Sequence, residues 1–596
     1  MKRIKLFNRK KVIDSALGKI PFDLVIVNCK IVNVLTGEIY PGEVGITDGY
    51  IAHISCNPDD TKKKFDSLNG KTVYDGKENY LIPGFIDAHM HIESSMLNPR
   101  KFAELVTPYG TTTIVADPHE IGNVFGVQGV KYMFEASENL PMRQFFLVPS
   151  CVPSVEHLES SGCEISTNEI EELLKLKRVL GLGEVMDYVG VIDWSERMQS
   201  ILTYANEKEV FIQGHAPNLS ERNLSAYLIG GPNSDHESVS AQEATEKIRN
   251  GMFIDARESS ISKNIEEIVK GTTKFKYLDF LTFCTDDREV DDILEFGHIN
   301  DVVRCAIKYG MEPIDAIRSA TINVAREIGY KDLGAIAPGF VGDLVLIDNL
   351  KDLNAKAVFF QGQLVAENGK LLSAIEPKSF ELEKINSINI KDIKLNDLEI
   401  IPTKALSYIS TNVLKYPDKI SLITELSIET LPIIDGKLNI SEDKNLKYVA
   451  IINRYGKNNI TLGVVRNFGT EFGAFASTVS HDCHNLVIVY DTPENALIAI
   501  EEIKKNNGGM TTVINGKVIK TLALPIAGLM TNKNGVELAK DSNELKNILR
   551  KMGLKEIPNP LLRIATLALP VIPNIKISDK GIIDVNKQTF IPLFNK

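Results

Sequence analysis

Between residues 80 and 334, eight apolar, strand-like segments alternate with helical runs, which predicts a (β/α)8, TIM-like barrel of α/β class. Strand-only stretches on both sides of that region predict a small β-sheet domain built from both flanks of the barrel. A last region, residues 402–596, has its own apolar content and mixed periodicity, and predicts an α+β C-terminal domain. A chain of 596 residues is too long for one core, so several domains are expected.

The N-terminal flank, residues 1–79, reads as short strands. "DLVIVNCKIVNVLTGEIY" is rich in β-branched residues with a turn at Thr36-Gly37, and "GEVGITDGYIAHIS" carries the hairpin signal Asp48-Gly49. From Tyr80 the strand segments are "YLIPGFIDAHMH", "TTTIVADPHE", "QFFLVPSCVP", "VLGLGEVMD", "VFIQGHAP", "LIGGPNSDHES", "GMFIDARES" and "DFLTFCTDD". Helical runs such as "STNEIEELLKLK" and "SAQEATEKIRN" separate several of them. In residues 335–380, "PGFVGDLVLIDNL" and "AKAVFFQGQLVAENGKLL" read as a strand and a hairpin that return to the small sheet. Residues 381–401 are polar and charged and read as a linker.

Composition narrows the function classes. With 43% hydrophobic and 24% charged residues the chain reads as a soluble globular protein. A net charge of −11 argues against a nucleic-acid binder, which needs a basic face. The basic N-terminus lacks the apolar run of a secretory signal, and no stretch of about 18 apolar residues predicts a membrane span. Seven scattered cysteines without a CxxC fit reduced thiols, and hence a cytoplasmic protein.

The chemistry centres on "LIPGFIDAHMHIESS". Residues i and i+2 of a strand share a face, so His89 and His91 project together, with Asp87 in line and Met90 opposite. Two imidazoles so placed can reach one metal ion at about 2 Å each. Taken alone, such a pair is more often packed or hydrogen-bonded within its strand. Position changes the balance, because barrel sites lie at the C-terminal strand ends. Those ends carry His89 and His91, then Asp117, His119 and Glu120, then Glu184, His215, His236, Asp286 and Asp287. Five of the ten histidines fall there, while His53, His157, His298, His481 and His484 lie elsewhere. Four histidines and two carboxylates exceed the needs of one tetrahedral ion and suit two ions sharing a carboxylate. Imidazole and carboxylate without thiolate suit Mn, Fe or Zn.

"PGFIDAHMHIESS", "GLGEVMD", "GHAP", "SDHES" and "CTDDRE" resemble the metal motifs of the amidohydrolase superfamily. "LGAIAPGFVGDLVLID" is similar to the segment that leads back to the small sheet in that superfamily. "DPHEIGNV", "STVSHDCHNLVIVY" and "LALPIAGLMT" resemble its adenine deaminase branch, so the likeness covers nearly the whole chain. The resemblance implies that His89 and His91 bind one metal, Glu184 is shared, His215 and His236 bind the second, and Asp286 binds the first and moves protons. It implies two divalent ions, Mn²⁺ or Fe²⁺ with Zn²⁺ also compatible, a metal-held hydroxide attacking C6 of adenine, and a homodimer. Related hydrolases of cyclic amides often bridge their metals with a carboxylated lysine; "LGLGEVMD" has none, which favours Glu184.

Within that expectation His236 is a candidate to polarise the reacting centre. Glu120 and Asp287 are candidates to hold the purine, with a helix cap and a support for the ligands as their alternatives. His119 reads as a partner of the ligands, a substrate contact or an extra ligand. Ser94 reads as a substrate contact or as part of the loop leaving the first strand. "SHDCHN" offers His481, Cys483 and His484 as a further metal loop, although such a loop is more often structural. After His215 the run "GHAPNLSE" has no acid before Glu221, unlike the nucleoside deaminases of the superfamily, so a proton donor must come from elsewhere. Zinc deaminases of nucleic-acid bases need P-C-x-x-C, which is missing. A dihydroorotase-like or hydantoinase-like hydrolase of a cyclic amide remains the alternative. A non-catalytic barrel scaffold is the third reading, and the presence of all six expected ligands speaks against it.

Overall fold

The computed structural model describes residues 2–4, 8–56, 67–403, 406–418 and 420–595. Eight parallel strands follow the eight apolar segments: β1 (Phe85–Met90), β2 (Thr111–Ala116), β3 (Arg143–Val148), β4 (Val179–Val185), β5 (Phe211–Gly214), β6 (Ser234–Asp235), β7 (Phe253–Arg257) and β8 (Leu281–Cys284). They form two arcs, β1 to β5 and β6 to β8. A parallel bridge between Met90 and Asp286 joins the last arc to the first. The amide of Asn233 donates to the Ile212 carbonyl at 3.2 Å and joins β5 to β6. Near-continuous apolar strands are what a parallel sheet covered on both faces requires, and most of these residues are fully buried.

The barrel brings its functional strand ends to one rim, and two details show how closely the backbone packs there. A Cβ on Gly183 would lie 2.2 Å from Asp117 Oδ2, so only glycine lets Asp117 reach across to β4. That carboxylate accepts a hydrogen bond from the Glu184 amide at 2.8 Å and fixes the end of the strand. At the far side of the barrel interior, Asp87 accepts from the Thr285 amide (3.0 Å) and hydroxyl (2.6 Å), tying β1 to β8.

The small sheet takes strands from both flanks. Phe22–Asn33 pairs in parallel with Tyr80–Pro83, which pairs antiparallel with Leu344–Ile347. The hairpin Glu38–Thr47/Tyr50–Cys56 turns at Asp48-Gly49, where both residues have positive φ (55° and 81°) as this tight turn demands. Buried Arg143 at the start of β3 donates to Asp343 at 2.7 Å and ties the barrel to this sheet.

The C-terminal part is a nine-stranded sheet with helices Pro493–Lys505 and Gly535–Lys551, followed by a three-stranded sheet. It is docked rather than tethered. One apolar core runs from Phe102, Met133 and Leu182 of the barrel into Leu538, Leu549 and Leu561. Residues 381–401, expected as a linker, lie packed: Ile388, Ile390 and Leu398 are buried with Ala450 and Ile488 of the C-terminal sheet. Among the described residues no helix is long and apolar enough to cross a membrane.

Helix Gly535–Lys551 also pins the barrel electrostatically. Lys546 is buried and meets Glu289, and Asp291 at 2.7 Å. Burial opposes the ammonium charge, but Glu289 and Asp291 outweigh it and hold the group protonated. Removing one partner of such a pair leaves a buried charge uncompensated, at about 3–5 kcal/mol. Lys546→Met is therefore expected to lower the melting temperature by about 2–4 °C in a thermal scan. An unchanged transition would mean that the apolar seam alone holds the two parts together.

Candidate metal centre

Six side chains from five barrel strands converge at the rim. His89 and His91 come from the end of β1, Glu184 from β4, His215 from just past β5, His236 from just past β6 and Asp286 from just past β8. Glu184 sits at their middle. Its Oε2 lies 2.7 Å from His215 Nδ1 and 3.2 Å from His236 Nε2, while Oε1 lies 3.5 Å from His91 Nε2 and 3.4 Å from His119 Nδ1. Asp286 Oδ1 lies 3.5 Å from His89 Nε2 and 3.3 Å from His91 Nε2. The ligating atoms of His89, Glu184 and His236, of His89, His91 and Asp286, and of His91, His119 and Glu184 each lie within 4.8 Å of one another.

The tautomers follow from the neighbours. Gln213 donates its amide to the Ala88 carbonyl (3.0 Å), so its Oε1 accepts from His89 Nδ1 at 2.8 Å. His91 Nδ1 donates to the Asp117 carbonyl at 2.9 Å. Both rings thus turn an Nε2 lone pair toward Asp286, and His89 Nε2 is buried without a hydrogen-bond partner. This is how metal-binding histidines are oriented by their outer nitrogen.

Charge is balanced inside the site. Burial pushes the Glu184 carboxyl up, but His215 and His236 outweigh it and hold it well below the usual carboxylate range. Burial likewise opposes the Asp286 charge, and Arg257, His89 and His91 overcome it. Arg257 at the end of β7 engages Asp286 Oδ2 and also Glu237 Oε1 at 2.6 Å. Arg257, Glu237 and Gln213 are the functional neighbours that sequence reasoning missed. The only signal for Arg257 was its place at a strand end, in "GMFIDARES".

The remaining expected residues divide into two groups. Ser94 donates to Asp287 Oδ1 at 2.5 Å, and both line a narrow cavity of about 10 Å³ beside the centre. The opposite wall, Val479, His481, Met510 and Leu562, belongs to the C-terminal part. His119 points Nδ1 at Glu184 and Nε2 at Glu120 (3.5 Å). Glu120 opens the helix His119–Ala136, yet its carboxylate is directed at His481 and His484 rather than at the helix end. The "SHDCHN" loop therefore reaches the barrel mouth. Cys483 turns away, with Sγ 3.8 Å from Asn123 Oδ1.

Comparison with known proteins agrees with this architecture. Residues 80–365 match the amidohydrolase family and residues 421–589 match the adenine deaminase C-terminal domain. The chain is 38% identical to "Adenine deaminase 2" of Carboxydothermus hydrogenoformans, over 98% of this chain and 99% of that protein. It is 40% identical to "Adenine deaminase" of Clostridium acetobutylicum, over 97% of this chain and 99% of the relative. The corresponding protein of Thermosipho africanus is 39% identical over 98% and 99%. The chain belongs to the adenine deaminase family of amidohydrolases.

Proposed function

We propose that this chain converts adenine and water to hypoxanthine and ammonia at the rim of its barrel. The observation that carries the reading is the likeness over nearly the full chain to proteins named adenine deaminase, C-terminal domain included. The donor set fits two divalent cations. His89, His91 and Asp286 would hold one, His215 and His236 the other, and Glu184, with one oxygen toward each side, would be shared. Mn²⁺ or Fe²⁺ are the favoured ions, and an all-imidazole and carboxylate set also accepts Zn²⁺. Bound there, such ions lower the pKa of a coordinated water toward neutrality and stabilise charge on the oxygen that adds to C6.

The chain's own groups do the rest. Arg257 occupies Asp286 Oδ2 and leaves Oδ1 facing the histidines, where it can take the proton of the attacking water and pass it to the departing amine. Ser94 gives its one hydroxyl hydrogen to Asp287, so the pair offers the cavity acceptor atoms, which suit an N–H on the edge of a purine. Met510, Val479 and Leu562 give that cavity an apolar wall for the ring.

Purified protein loaded anaerobically with Mn²⁺ or Fe²⁺ should release ammonia from adenine, and should leave the ring of dihydroorotate unopened by absorbance. Turnover of dihydroorotate without turnover of adenine would replace this reading by the cyclic-amide one. Chelation should abolish the activity and re-addition of the ion restore it. Glu184→Gln should bring metal content toward one ion per chain and cut kcat/KM by about 100-fold or more, beyond what loss of an outer partner causes. Arg257→Gln should lower kcat/KM by roughly 10–100-fold, the range for removing a group that orients a ligand. Near-normal rates with two tightly held ions in Glu184→Gln would refute the shared role.

A further inference from the structure

Asp286 is assigned one proton, yet the reaction moves two. Water brings two hydrogens; one must reach the leaving nitrogen and one must end on ring N1. No acid follows His215 before Glu221 to carry the second. The C-terminal part places a histidine on the wall of the cavity that Asp287 lines. His481 lines the cavity with Asp287 and Ser94, and its Nδ1 is tied to Glu120 Oε1. Its Nε2 has no hydrogen-bond partner among the described residues, so it is the ring's free polar atom beside that cavity.

The tie is itself held in place. Ser480 donates its amide to His484 Nδ1 at 3.1 Å, so neutral His484 carries its hydrogen on Nε2 and donates it to Glu120 Oε2. Glu120, His481 and His484 come close enough to hold an ion. The His484 lone pair, however, is already used by Ser480, so a hydrogen-bonded clamp fits these atoms better than a metal. We infer that His481, contributed by the C-terminal domain and fixed through Nδ1 by the Glu120–His484 clamp, is the residue that protonates adenine N1 as water adds to C6.

This inference rests on the proposed deamination. The oxygen of water bonds to C6, and its first proton goes to Asp286. The C6–N1 π pair moves to N1 and takes the proton from His481 Nε2. The C6–N6 bond then breaks with its electron pair on nitrogen, which receives the proton from Asp286. The remaining O–H proton returns to His481 as the carbonyl forms. Hypoxanthine and ammonia leave, and both carriers are restored.

The surroundings favour a charged His481. Burial opposes the imidazolium, but Glu120, Asp287 and Asp482 outweigh it and push its pKa up to about 9. His484 goes the other way: burial holds it at about 4, so it stays neutral despite Glu120. Glu289, also on the cavity wall, is already paired with Lys546. At neutral pH His481 is therefore a proton donor. Its donor form is present below its raised pKa and is lost as pH rises through it, which predicts an alkaline limb in the rate profile near pH 9.

The test uses the full-length, metal-loaded protein. His481→Asn should lower kcat/KM for adenine by about 100-fold or more, the span of general acid catalysis, and abolish the alkaline limb. Its metal content should match the wild type. Glu120→Gln should move that limb to lower pH by at least about one unit. Independently of turnover, ¹⁵N-histidine NMR of the Zn²⁺-loaded wild type should show one imidazole titrating near pH 9, absent in His481→Asn and shifted down in Glu120→Gln. Rates within a few-fold of wild type in His481→Asn, with the limb intact, would overturn the inference while leaving the deaminase reading standing. So would an NMR titration that shows His481 neutral at pH 7. Should His481→Asn fail to fold, the wild-type titration and the Glu120→Gln profile decide alone.

Discussion

Burying the Glu184 carboxylate is the constraint around which the rest is arranged. A lone charge in that position would pick up a proton, since burial penalises the ionised form by several kcal/mol. It stays charged because His215 and His236 sit on one oxygen and His91 and His119 face the other. Those four rings can gather only if their strands end at one level, which is what a closed parallel barrel provides. The approach is so close that β4 must be glycine at position 183, and the carboxylate of Asp117 takes the place a side chain would fill. Composition of a single strand, "LGLGEV", thus answers to the charge it presents.

The same logic explains the C-terminal part. An aqueous rim would screen the charges of the centre and let solvent compete with substrate. The nine-stranded sheet covers that rim and shares a core with the barrel, so the cover is built in rather than hinged on a linker. It also contributes polar atoms. Glu120, which within the barrel has only His119 at 3.5 Å, is met by two histidines from the far sheet. Barrel and cover each supply half of that interaction, so neither sequence segment makes chemical sense without the other.

This division marks what could be read from the sequence. The eight strands, the sheet built from both flanks and the six converging side chains were legible, because each depends on a local rule: apolar runs, turn residues, and polar residues at strand ends. His89 and His91 share a face by strand geometry alone. Arg257 was not legible, because its meaning lies in Asp286, on the next strand of the barrel. His481 was visible only as a loop histidine, since its partner Glu120 is 361 residues away. Residues 381–401 misled for another reason. Lysines, aspartates and glutamates make up eight of its 21 residues, and the buried Leu382, Ile388, Ile390, Leu398 and Ile400 are spaced too irregularly to set a periodicity.

Asp286 shows the cost of this arrangement. Its backbone adopts φ 52°, a left-handed conformation that carries a penalty of about 1 kcal/mol for a residue with a side chain. The chain accepts it because the amide of Asp286 must donate to the His89 carbonyl (3.0 Å) while its carboxylate turns back toward His89 and His91. A relaxed, right-handed residue at this point would carry the side chain away from the rim. Aspartate tolerates the left-handed region better than most residues, and its short side chain leaves room for Arg257 behind it. Glutamate at position 286 would keep the charge but add a methylene where Arg257 and two imidazoles already confine both oxygens. The strand end therefore selects aspartate on backbone and side-chain grounds together, and the strain falls on the residue assigned to move a proton.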